Sequence, residues 1–101
     1  MELKNQFTKE LQARNEQAKA IGCGVSARAA QTIELKGGAE TARYILSREA
    51  CSENFEKLAK AGRLDLSMEA LVVERKYAAL FADEEVNACF TLLCDKGYYV
   101  I

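Results

Sequence analysis

The residue types that could carry chemistry in this chain are four cysteines, Cys23, Cys51, Cys89 and Cys94, and carboxylate pairs such as Glu84-Glu85 and Asp65-Glu69. No histidine accompanies them. The commonest general base is therefore missing, and neither a Ser-His-Asp nor a Cys-His arrangement can be assembled. The cysteines stand 28, 38 and 5 residues apart. Structural zinc takes cysteine pairs two to four apart, or histidines, so no metal is expected. Cys89 and Cys94 would diverge by about 140° on one helix, and read as core thiols. Glu84-Glu85 suits the first turn of a helix, where the dipole favours negative charge. The run Gly22-Cys23-Gly24-Val25-Ser26-Ala27 formally matches G-x-G-x-x-A. A dinucleotide site needs a strand before that run and a βαβ unit around it. The period of the preceding residues is helical, so these glycines read as a break between helices. No cofactor and no catalytic activity are expected.

Cations offer a second kind of chemistry. Ser26 to Arg63 outlines three short helices, 27–36, 39–48 and 52–62, joined by tight turns. A helix-turn-helix has that outline. Its third helix would expose Lys57, Lys60 and Arg63, with Asn54 near its start. Arg28, Arg43 and Arg48 could meet phosphates. Against this, Glu53 and Glu56 would repel a DNA backbone, and the turn at 48–51 has no glycine. The chain carries a net charge of −1. Residues 1–50 hold eight Lys/Arg and six Asp/Glu, and residues 51–101 hold six and nine. Neither half has the field that holds duplex DNA by charge alone.

The elements that must position these groups read as helices. The 101 residues fit one domain; half are hydrophobic, 16 are alanine and none is proline. Leu3, Phe7, Leu11, Ala18 and Ile21 form one stripe of an amphipathic helix over 1–21, supported by the i,i+4 pair Glu10–Arg14. Arg14 lies near the centre of that stripe. Either its stem snorkels to the edge or that part of the helix faces a partner. Ser52 is the expected N-cap of the third short helix, with Glu53–Lys57 and Glu56–Lys60 as supporting pairs. Ser67 caps a fifth helix, although Val72-Val73 also allows an extended segment over 68–74. A connection follows at 75–82. Asp83 caps a last helix whose core face is Val86, Cys89, Phe90 and Leu93. Residues 98–101 form an apolar tail, a short strand or an extended plug. The expected fold is all-α, a small bundle of five or six short helices. Residues 1–24 form a helix or arm on a core of 25–101. The N-terminus is charged and lacks a secretory pattern, and no segment reaches the ~18 apolar residues of a membrane span. A cytoplasmic setting with reduced thiols is expected, without membrane association.

One stretch carries a resemblance. Gly37-Gly38, then Ala42-Arg43-Tyr44-Ile45-Leu46, Phe55, and above all Ala61-Gly62-Arg63-Leu64-Asp65-Leu66-Ser67-Met68-Glu69-Ala70-Leu71-Val72, resembles short proteins of bacterial chromosomes and phages that have no assigned activity. The resemblance covers under half the chain and transfers no catalytic residue. It implies a bacterial or mobile-element setting, where small helical proteins often bind host machinery; inhibitors of CRISPR nucleases are one such class. The functional expectation is a non-catalytic protein that occludes a bacterial host protein, such as a nucleic-acid-bound defence nuclease. The alternative is a helix-turn-helix-like DNA-binding regulator. The candidate contacts are Phe7, Leu11, Arg14, Arg43, Lys57, Lys60 and Arg63, since arginine beside large apolar side chains is typical of binding hot spots. The sequence is also compatible with a homodimer.

Overall fold

The helical period of the sequence is realised throughout the computed structural model, which describes residues 3–48 and 51–98. Among them are seven α-helices and one 3₁₀ turn, and no strand: α1 (Leu3–Ala20), α2 (Ala27–Lys36), α3 (Gly38–Arg48), α4 (Phe55–Ala61), the 3₁₀ turn Leu64–Leu66, α5 (Met68–Val72), α6 (Arg75–Ala78) and α7 (Asp83–Asp95). The all-α expectation holds. The segment 68–72 is helical, and the expected connection at 75–82 contains α6. Of the tail expected at 98–101, Tyr98 lies in a bend beyond α7, and the rest lies outside the described residues.

The apolar side chains gather into two clusters. One holds Phe7, Leu11, Ile33, Ala42, Leu71, Val72, Tyr77, Phe81 and Cys89. The other holds Ala18, Cys23, Phe55, Leu58, Leu64, Leu66 and Leu93. Helices α1 and α7 run across both: the first halves of these helices serve the first cluster, the second halves the second. The helix or arm expected over residues 1–24 is the helix α1, whose Phe7, Leu11 and Ala18 are core side chains. Phe7 is fully buried and meets Tyr77 and Phe81 edge-on, at centroid distances of 5.2 and 5.3 Å. A stripe at helical spacing looks the same in a sequence whether its partner is the chain's own core or another molecule. Two members of the expected stripes, Ile21 and Phe90, are instead exposed.

α1 crosses α3 at close range because Gly38 has no side chain. A Cβ there would come within 3.0 Å of the Thr8 backbone and 3.1 Å of the Phe7 ring. The Gly38 N–H donates to Thr8 Oγ1 at 2.8 Å, so the crossing is also hydrogen-bonded.

Local capping differs from the sequence expectation at two helices. Ser52 does not cap α4; Asn54 precedes its first residue. Ser52 is instead buried. Its N–H and Oγ both donate to the carboxylate of Glu69, itself fully buried on α5. Asn54 Nδ2 donates to the Cys23 carbonyl at 2.8 Å. Glu53 lies before the helix and accepts hydrogen bonds from Ser26 N–H and Oγ. Glu56 pairs with Lys96 at 2.9 Å. The expected Glu53–Lys57 and Glu56–Lys60 pairs therefore do not form: longer-range partners take both acids. At α7 the cap residue is Ala82, whose N–H donates to Glu85 at 2.7 Å, and Asp83 is the first helical residue. Ser67 caps α5 as expected, accepting from the Ala70 N–H.

The Glu69 tether has a pH signature. Burial pushes its carboxyl above the ordinary value of 4.5, against the opposing hydrogen bonds from Ser52. The folded state then holds the proton more tightly than the unfolded chain. The Glu69 contribution to stability is thus greatest below pH 4.5 and declines as pH rises from there through the raised folded value. In thermal melts, Glu69→Gln gains on the wild type as pH is raised from acid to neutral. Glu69→Ala leaves two buried Ser52 donors unmet and costs about 3 kcal/mol in acid, less as pH rises.

Candidate functional site

The seven residues expected to bind a partner separate into three environments. Phe7 and Leu11 are core side chains and offer no surface. Arg14 is half-buried and faces inward along the seam between α1 and the 64–77 segment. Its guanidinium donates to Glu10 at 2.7 Å, to Glu74 at 2.8 Å and to the Asp65 carbonyl. Glu10 also accepts from Tyr77 Oη at 2.7 Å and pairs with Lys76 at 3.3 Å. Arg14 is thus a structural hub, held in the seam by groups of its own chain. The i,i+4 spacing to Glu10 was visible in the sequence. Glu74 and Tyr77, some sixty residues away, carried no signal.

Partial burial pushes the Glu10 carboxyl up, but the hydrogen bonds from Tyr77, Arg14 and Lys76 outweigh it and hold the group below its ordinary value. A depressed carboxyl stabilises the fold above its unfolded value and loses that contribution as pH falls through its folded value. Desolvation by burial, reinforced by hydrogen bonding to Glu10, raises the Tyr77 phenol correspondingly.

The remaining candidates face outward. Arg43 lies on α3, half-exposed, with Glu85 at 3.6 Å. Lys57 and Lys60 stand exposed on α4 and have no ion-pair partner among the described residues. Arg63 follows the left-handed Gly62 and pairs with Asp65 at 3.1 Å, both side chains half-exposed. The structure therefore places Lys57 and Lys60 on α4 and Arg63 just beyond its terminal glycine, before the 3₁₀ turn, and leaves Arg43 on α3. Removal of Glu53 to Ser26 strips α4 of one of the two acids expected on it.

The helix-turn-helix outline is not reproduced as a packing unit. Phe55 and Leu58 of α4 enter the second cluster, whereas α2 and α3 pack in the first. α4 rests mainly on the 3₁₀ turn, not on α3. A recognition helix is held by packing against the helix before it.

The acids of the Asp65-Glu69 pair have partners within the chain. Asp65 is taken by Arg63, and Glu69 by Ser52. The four cysteines are unbridged. Among the described residues no three of His, Cys, Asp and Glu lie together as a metal site would need. Gly22-Cys23-Gly24 follows a helix, not a strand. An apolar cavity of about 40 Å³ between α1, α2 and α3, bordered by Leu11, Ile33 and Met68, has room for one water molecule. A polar surface groove of about 450 Å³ runs past Arg14, Gln17, Glu74 and Tyr98, but the Arg14 donors in it already have protein partners. No described helix is long and apolar enough to cross a membrane. Comparison of the chain with known protein families, curated proteins and solved structures finds no match.

Two outcomes follow from this geometry. Arg14→Met keeps the stem and removes the donors, leaving Glu10 and Glu74 facing one another. It costs about 2 kcal/mol at neutral pH, read as a fall in melting temperature, and the cost shrinks in acid as Glu10 takes up its proton. Cys89 is fully buried, and burial, followed by the carboxylates of Glu69 and Glu85, pushes its thiol up to about 12. In the folded protein at mildly alkaline pH, iodoacetamide leaves Cys89 unmodified, as mapped by peptide mass spectrometry, and modifies it once the chain is unfolded.

Proposed function

We propose that this is a non-catalytic binding protein of mobile-element type. It occludes a surface of a bacterial host protein, and a nucleic-acid-bound defence nuclease of the CRISPR kind is the proposed partner class. The observation that carries the proposal is the outward cationic face of α4. Lys57 and Lys60 are exposed and unpaired among the described residues, and Arg63, paired with Asp65, follows just beyond the helix. In a chain of net charge −1 such a face is a local asymmetry, suited to phosphates or carboxylates on a partner. The resemblance of residues 61–72 to short phage and chromosomal proteins supports the setting, and the absence of histidine supports a role without chemistry.

The test is a double charge reversal, Lys57→Glu with Lys60→Glu, set against the wild type as bait in a bacterial lysate. Exposed substitutions of this kind move stability by about 0.5 kcal/mol, so the melting temperature shifts by only a few degrees. Capture of the host nuclease is lost, and wild-type capture weakens steeply with salt. Equal capture by the variant removes α4 from the site. Sequence-dependent duplex DNA binding by the purified protein at physiological salt makes it a DNA-binding regulator instead.

A further inference from the structure

The outward face of α3 carries charges of both signs around an exposed tyrosine. Its buried side is Gly38, Ala39, Thr41 and Ala42, with Ile45 and Leu46 packed at the flanks. The residues left outside are Glu40, Arg43, Tyr44, Ser47 and Arg48, all exposed. Within that face, Glu40, Tyr44 and Arg48 are spaced four apart and form a single ridge along the helix. Tyr44 is 58% exposed, with only the Arg48 guanidinium over its ring at 5.6 Å. Neither Glu40 nor Arg48 has an ion-pair partner among the described residues. Arg43, at the edge of the face, is held by Glu85 and so does not neutralise Glu40.

The order along the ridge is acid, aromatic, base, with the tyrosine at the midpoint. A uniformly acidic partner would be repelled at Glu40, and a uniformly basic one at Arg48. An antiparallel copy of the same ridge meets neither repulsion. About a two-fold axis through Tyr44, residue i faces residue 88 − i: Glu40 faces Arg48 of the second copy, Arg48 faces its Glu40, and the two tyrosines meet at the centre. That is the self-complementarity a two-fold interface requires. Ridges of i±4 residues packed side by side are the commonest mode of helix–helix contact. Antiparallel helices also oppose their dipoles favourably.

We infer that α3 is a homodimerisation face, in which a second copy of the chain seats antiparallel on Glu40, Tyr44 and Arg48. The inference is independent of the α4 proposal, since no residue of this ridge is among the α4 contacts.

Sedimentation analysis over rising concentration reads it directly. The wild type passes from monomer to dimer. Glu40→Arg alone sets arginines against arginines, and Arg48→Glu alone sets glutamates against glutamates, so each stays monomeric where the wild type dimerises. Mixed in equal amounts, the two single variants restore the dimer, because every opposed pair is then of opposite sign. Tyr44→Lys, which puts two ammonium groups on the axis, supplies a further monomeric variant should either charge variant melt early. A wild type that is monomeric up to millimolar concentration overturns the inference. So does a dimer that the single variants leave intact, or a mixture that stays monomeric.

Discussion

The position of one guanidinium constrains much of this fold. α1 must serve two apolar clusters, and Arg14 falls where its apolar contacts pass from Leu11 in the first to Ala18 in the second. A cation at such a seam is costly unless its donors are met. Glu10 meets it from the same helix, one turn earlier. The other two acceptors, Glu74 and the Asp65 carbonyl, come from the far half of the chain. Meeting them fixes the 64–77 segment against α1. That in turn places Tyr77 to cover Phe7 and to donate to Glu10. Apolar packing and ion pairing are thus satisfied by one docking geometry.

The short connection before α4 is organised by the same kind of requirement. Glu69 is fully buried, and Ser52 supplies both donors to it. Asn54 reaches the Cys23 carbonyl, and Glu53 reaches Ser26. A polar stretch of chain is in this way sewn to the α1–α2 turn and to α5, and no described buried side-chain polar atom is left without a partner. Phe55 and Leu58 then enter the second cluster as a consequence of where that stretch is held.

This internal use of acids shapes the surface. Glu10, Glu69 and Glu74 are turned toward the protein, and Glu53 is drawn to Ser26. The cations Lys57 and Lys60 are left facing out. A nearly neutral chain thereby acquires a locally cationic element, while α3 keeps an acid and a base at opposite ends of one exposed ridge. Net charge alone describes neither face, because it does not record which acids are spent inside.

The sequence alone determined that the protein is helical and, to within a few residues, where most helices lie. Periodicity, the absence of proline, glycines at the breaks and Ser67 as a cap are local signals, and local physics decides them. The exposure of Lys57 and Lys60 was legible for the same reason: on a short helix whose apolar side is Phe55 and Leu58, they can only face away. Phe7, Leu11 and Arg14 were legible as a stripe and misassigned as a surface, because a stripe does not say what covers it. The pairings Arg14–Glu74, Tyr77–Glu10, Ser52–Glu69 and Glu53–Ser26 span 17 to 67 residues. Only the tertiary structure decided them, since a buried charge takes whichever partner the packed chain brings within hydrogen-bond reach, and sequence spacing carries no record of that distance.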